Sequence, residues 1–302
     1  MAKKLIIEAA IHELTPKSNN PNVPYGPDEV APDVAACVAE GLSFLHFHAR
    51  DPDTGDQLWT DADSYKQSIL GMRQLGVPDG LPWYPTYGGL NRQAFAHIAT
   101  LAADPEVGLP MTGIDLGTTN INDFNPVTRK FESSDFVQSL SHAGAKDLFD
   151  LCRELGIRPY LGVYEPGHLR HIGAYLDKGW IDPPLVIKFA FSDFGPVGLP
   201  PEPECLAWYA EMIEMVLPGV PVEWFVTCNG PSIWKLAPMA IELGGHVRVG
   251  LGQYHPWSWP DLSNERPTNA EQVARVADMA KAAGREVATV DEARAMLGLA
   301  EG

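Results

Sequence analysis

The chain has 302 residues, of which 45% are hydrophobic and 20% charged. That balance excludes the disordered and collagen-like classes and leaves ample material for a buried core. The 22 Lys and Arg face 39 Asp and Glu, a formal charge of −17. Such a chain repels a phosphate backbone or an anionic membrane, so neither nucleic acid nor membrane is an expected partner.

In chain order, the first apolar run is Leu5–Ile11, broken by Glu8. The basic-then-apolar start therefore lacks a signal-peptide pattern, and no run is long enough to span a bilayer. A Pro- and Asn-rich loop, 15–26, follows; then an acidic-start helix over Pro27–Glu40, stopped by Gly41. Further strands are expected at Phe44–His48, Leu81–Tyr87, Ile114–Gly117, Pro159–Tyr164, Leu185–Phe191, Val222–Thr227 and Val247–Leu251. Asp61 is placed to cap the helix after the second strand. Helices are expected over Ala143–Gly156, Glu202–Leu217, Pro231–Leu243, Asn269–Ala283 and Val290–Leu297. Pro32 and Pro238 should mark kinks or first turns. The segment 120–145 reads as a long loop. Cys37, Cys152, Cys205 and Cys228 form no C-x-x-C pair and fit reduced core thiols of a cytoplasmic protein. Eight strands alternating with helices point to a single-domain (β/α)8 TIM barrel over 1–302. The competing doubly wound sheet lacks a G-x-G-x-x-G or P-loop motif.

The strongest local signal is Phe44-Leu45-His46-Phe47-His48-Ala49-Arg50-Asp51. Side chains two apart on a strand share a face, so His46 and His48 converge while Leu45 and Phe47 turn away. Two imidazoles at a strand's C-terminal end make a chelate for a divalent metal, most often zinc. The alternative is a pair of ordinary hydrogen-bonded core histidines.

An ordered series of motifs extends this signal: AAI at Ala9–Ile11, NPNVP at Asn20–Pro24, HFHARDPDTG at His46–Gly55 and Thr86-Tyr87-Gly88-Gly89. It continues with GTTN at Gly117–Asn120, VYEPG at Val163–Gly167, GGHVRVGL at Gly244–Leu251 and GREVATVDEARAMLGL at Gly284–Leu299. Over nearly the whole chain this resembles the β-keto acid cleavage enzyme family. The resemblance implies a TIM barrel with zinc, or another divalent metal, at its mouth. It implies a retro-Claisen reaction of a β-keto acid with acetyl-coenzyme A, giving acetoacetate and a new acyl-coenzyme A. It implies a homotetramer as well. His46 and His48 match the family's histidine ligands, and Arg248 an arginine that handles and deprotonates substrate. Thr86 stands where a serine lines the pocket, beside Gly88 and Gly89. Thr118 and Asn120 match the pocket threonine and its neighbour, and Glu165 an acid after strand five.

One departure stands out. The family follows strand eight with Gly-Φ-Glu-Asp, Φ apolar, the Glu ligating zinc and the Asp pairing with the arginine. Here the run is Gly250-Leu251-Gly252-Gln253-Tyr254-His255. Catalytic zinc sites typically use three protein ligands, so a substitute is needed, and His255 is the first candidate. Glu8 and Lys188 are charges inside apolar strands, costly to bury unpaired. They are expected either at solvated ends with ordinary neighbours or facing each other across the lumen, with Lys188 then a base of depressed pKa. Glu13, with Lys17, opens the first loop, placed either to meet the distal end of the substrate or to lie on the surface. Trp257 and Trp259 form an aromatic segment beyond strand eight, suited to covering the pocket or to a subunit interface. Two other function classes compete. A zinc hydrolase of the amidohydrolase kind carries H-x-H on strand one and an Asp on strand eight, neither of which occurs here. A binding paralogue without catalysis would explain the lost Glu-Asp pair.

Overall fold

A computed structural model of the chain describes residues 3–125, 128–253 and 266–299. One parallel sheet takes eight strands: β1 Ile7–Ala10, β2 Phe44–His46, β3 Trp83–Tyr84, β4 Met111–Asp115, β9 Arg158–Val163, β10 Leu185–Ser192, β11 Val222–Asn229 and β12 His246–Val249. The order β3-β2-β1-β12-β11-β10-β9-β4 puts first beside last, so the sheet is rolled into a nearly closed barrel, with β3 and β4 at the seam. Helices α1 (Pro27–Ala39), α2 (Ala62–Gln74), α3 (Ala96–Ala103), α4 (His142–Leu155), α5 (Gly167–Asp177), α6 (Pro203–Val216), α7 (Ile233–Glu242) and α8 (Asn269–Ala282) follow their strands, the (β/α)8 pattern.

Alternation along the strands decides what faces where. Ile7, Ala9, Leu45, Phe47, Ile187, Phe189, Val247 and Val249 belong to the outer core under the helices. Ile6, Phe44, Tyr84, Met111, Tyr160, Val186 and Phe225 form a separate inner cluster with Ala288, Ala293 and Leu297. The last of these belongs to the segment around α9 (Val290–Met296), which closes the N-terminal end of the barrel. Thr268 and Thr289 start α8 and α9 with capping boxes; Asp61 caps α2 by accepting from Asp63 and Ser64 N–H groups.

One expectation needs correction. Segment 120–145 is not all loop: β5 (Thr118–Asn120) pairs with β8 (Val137–Ser139), and β6 (Phe124–Asn125) with β7 (Lys130–Phe131), both antiparallel. Of the two positions expected for Pro32 and Pro238, kinks or first turns, the first turns are excluded: both lie inside α1 and α7. Each removes one backbone donor, and the buried faces Val30, Ala31, Val34 and Leu236, Ala237, Ala240 hold the helices in place. Helices α3 and α5 carried no start signal, because neither has a side-chain cap. The four cysteines are free, as expected. No helix among the described residues is long and apolar enough to cross a membrane.

Candidate active site

At the C-terminal end of the strands the inner face turns from apolar to charged. His46 ends β2, and His48 lies two residues on. Both are buried, and their Nε2 atoms stand 3.2 Å apart. The His46 Nδ1 faces the Tyr84 carbonyl at 3.1 Å, and the His46 ring stacks on that of Tyr84. The His48 Nδ1 faces Gln57 Oε1 at 2.7 Å. Each Nδ1 therefore carries the proton, and two Nε2 lone pairs point at one spot. Burial pulls His48 down to about 3 and His46 well below its ordinary value, so both rings are neutral.

The nearest acid is Glu13, whose Oε1 lies 3.6 Å from His46 Nε2. Glu13, His46 and His48 are the set among the described residues that can hold a metal ion. Ligands about 2.0–2.1 Å from a tetrahedral zinc stand about 3.4 Å apart. The edges of 3.2 and 3.6 Å bracket that separation.

Arg248, on β12 and buried, is the hub of the charges. It donates to Tyr84 Oη at 2.6 Å, lies 3.3 Å from Glu8 Oε1, and contacts Glu13 Oε1. Gln253, with its amide oxygen turned inward, accepts from Arg248 Nη2 and Nε at 3.1 Å each and from Thr227 at 3.2 Å. The strand-eight acid that would pair with the arginine is thus replaced by a neutral acceptor, and the countercharge sits on Glu8 and Glu13. Glu8 is fully buried and also accepts from Tyr84 at 2.6 Å and Tyr160 at 2.8 Å.

Glu8 and Lys188 both enter the lumen, but they do not pair with each other. Lys188 Nζ lies 3.6 Å from Asp115 Oδ1 and 5.8 Å from the Tyr160 ring centre. Burial works against its charge, yet Asp115, Tyr164 and Glu8 outweigh burial and hold its pKa above the ordinary value. Lys188 is a resident cation, not a base of depressed pKa. A pocket of about 220 Å³ is lined by Glu13, His46, His48, Trp59, Thr86, Asp115, Tyr164, Lys188 and Arg248. A neighbouring pocket of about 90 Å³ shares Glu13, Tyr164, Lys188 and Arg248, and adds Asn122, Ser192, Thr227 and Gln253.

The structure does not gather every expected residue there. Glu165 accepts from Thr119 at 3.3 Å and from the Gly198 N–H at 3.1 Å, so it braces two loops. Thr118 and Asn120 lie on the exposed faces of β5. Gly88 packs near Trp59, and a side chain at Gly89 would approach Ala94 and Asn91. Lys17 pairs with Glu29 on the surface. His255, Trp257 and Trp259 fall outside the described residues. Sequence reasoning missed Tyr84, Gln57 and His12. His12 faces the Pro24 carbonyl through Nδ1 at 2.8 Å and takes the His48 N–H on Nε2 at 2.9 Å. It ties the end of β2 to the NPNVP loop, and burial lowers it to about 4. Only its place just after the AAI motif hinted at this.

The catalytic face of this TIM barrel thus brings together two converging imidazoles, the carboxylates of Glu13 and Asp115 and the two cations Arg248 and Lys188. The chain belongs to the beta-keto acid cleavage enzyme family, whose sequence profile matches residues 4–299. It is 29% identical to the 3-keto-5-aminohexanoate cleavage enzyme of Fusobacterium nucleatum, over 99% of both chains. It is 26% identical to the 3-oxoadipate:acetyl-CoA acetyltransferase of Cupriavidus necator, over 99% of this chain and 96% of that one. Among solved structures, apo ObcA superposes with a TM-score of 0.69 at 15% identity, covering 92% of this chain. This chain spans 66% of that protein's length, and the likeness is one of fold.

Proposed function

We propose that the protein is a metal-dependent β-keto acid cleavage enzyme that uses acetyl-coenzyme A as co-substrate, with zinc as the preferred ion. The observation that carries this is the His46–His48 pair, two neutral imidazoles aimed at one point beside Arg248 and Lys188 in a chain of this family. When bound, the ion supplies a Lewis acid for the keto and carboxylate oxygens of the substrate.

The chain's own residues do the rest. Arg248 and Lys188 face the pocket as fixed cations and favour charge building on the substrate oxygens. Thr86 lines the same pocket and is placed to orient the substrate. Glu165 acts as a positioning residue through the loops it braces. In the balanced reaction the α-carbon of the β-keto acid loses a proton and bonds to the acetyl carbonyl carbon, whose bond to sulfur breaks and releases the coenzyme A thiolate. The bond from that α-carbon to the original keto carbon then breaks, and the coenzyme A thiolate takes the released acyl group. The proton returns to the acetoacetate.

A hydrolase reading would need later-strand histidines beside the pair, and among the described residues the pair is joined by Glu13 alone. A cytoplasmic homotetramer is part of the same proposal, checked by light scattering of the purified protein. The functional test is a panel of β-keto acids incubated with acetyl-coenzyme A while product thioesters are followed by mass spectrometry. New acyl-coenzyme A that disappears on chelation and returns with zinc is the expected result. Turnover undiminished after metal removal contradicts the proposal.

A further inference from the structure

Two imidazoles leave a catalytic divalent site one protein ligand short. Gly252, in the 3-10 turn Leu251–Gln253 after β12, offers no side chain. A side chain there would meet Glu13 and the β1 backbone: a Cβ at position 252 would stand 2.7 Å from Glu13 Cγ, 2.9 Å from the Ala10 carbonyl oxygen and 3.2 Å from Glu13 Cβ. The notch at 252 is therefore filled by the Glu13 side chain, arriving from the loop after β1.

Three further features hold it there. Glu13 has φ of +36°, a left-handed backbone that a non-glycine residue adopts only when its surroundings impose it. Its carbonyl accepts from Gln57 Nε2 at 2.7 Å, and Gln57 is the residue that orients the His48 ring. Its carboxylate is gripped by Arg248 and reaches to 3.6 Å from His46 Nε2. The Oε1 that Arg248 grips is the same oxygen that faces His46, and a carboxylate oxygen has two lone-pair directions, so it can serve the arginine and an ion together. We infer that Glu13 is the third protein ligand of the metal, and that Gly252 must stay glycine because it is the seat of that ligand. Resting on the metal-dependent reading above, this extends it by moving a ligand from the strand-eight turn to the first loop.

The test measures Zn2+ affinity in chelator-buffered dialysis, with the visible spectrum of the Co2+-substituted protein as a second readout, and circular dichroism to confirm folding. Loss of a group outside the ligand set weakens metal affinity roughly 10–100-fold. Glu13→Ala and Glu13→Gln are expected to exceed that, and to alter the Co2+ spectrum. Glu13→Gln keeps the shape and the hydrogen bond to Arg248, so it separates a ligand from a mere partner of arginine. Gly252→Ala, which leaves Glu13 intact but displaces it, is expected to weaken affinity about 10–100-fold. Wild-type Zn2+ affinity and an unchanged Co2+ spectrum in folded Glu13→Gln would overturn the inference while leaving His46 and His48 as ligands. Wild-type affinity in His46→Ala would overturn both the inference and the reading beneath it.

Discussion

The floor and the mouth of the barrel lumen are built by the same strands, two residues apart, and they could hardly differ more. β1 carries Glu8 at the mouth just after Ile6 at the floor, β2 His46 after Phe44, and β10 Lys188 after Val186. The floor is a cluster of aromatic rings: Phe44 lies 5.4 Å from Tyr84 and Tyr160 and 5.5 Å from Phe225. The mouth is a mesh of charges, each with a partner within hydrogen-bond or ion-pair reach. Tyr84 and Tyr160 join the two, rings below and hydroxyls on Glu8 above. The lesson is that packing sets where the strands stand, and the charges can be buried only because that placement brings each one an opposite.

Substitutions at the two levels should fail differently. His46→Ala at the mouth is expected to lower turnover by about 10³-fold, the several kcal/mol that a Lewis acid supplies, with little change in melting temperature. Phe225→Ala at the floor should cost about 3–5 kcal/mol of stability, read by chemical denaturation, while the folded fraction keeps its Zn2+ affinity. Lys188→Met leaves Asp115 without its cation, with only the Tyr87 and Tyr164 hydroxyls beside it, and should cost about 3 kcal/mol. The double variant Lys188→Met/Asp115→Leu should recover part of that loss, since removing both partners of a buried pair is milder than removing one. Gln57→Leu frees the His48 ring and should weaken Zn2+ about 10–100-fold without a change in fold.

A control away from the lumen sharpens the contrast. Burial pushes Asp33 on α1 up to about 7, although Asn269 donates to it at 2.8 Å and opposes the rise. A raised acid stabilises the fold fully below its unfolded value and loses that contribution as pH climbs from about 4 to about 7. Asp33→Asn should therefore match the wild type at pH 4 and be more stable at pH 8. The gain is on the order of 1 kcal/mol, after allowance for the solvent that reaches this half-buried group.

How much of this was legible in the residues alone follows from the same two levels. The strands and their inward faces came from the period of two, so His46 and His48 converge as the spacing required. Glu8 and Lys188 were marked as charges that need partners, but alternation says only that a side chain enters the lumen. Which neighbour it meets depends on strand stagger, and Asp115 on β4 and Arg248 on β12 won. Tyr84 and Gln57 were illegible, being an aromatic in an apolar run and an amide in an isolated bridge opposite Arg50. Gly252 read as a loss because sequence shows a missing carboxylate, whereas the structure shows Glu13 seated in its space. Gly162 does the same for Asp115, whose carboxylate fills the position a side chain there would take.

The most direct test of the central claim is metal stoichiometry measured on the same sample as acetyl-coenzyme A-dependent cleavage. Protein stripped by chelator and titrated with Zn2+ should regain cleavage in step with the ion, saturating at one per chain, and His48→Ala should show neither binding nor cleavage. Cleavage that is complete before any ion is added, or that survives in His48→Ala, would contradict it.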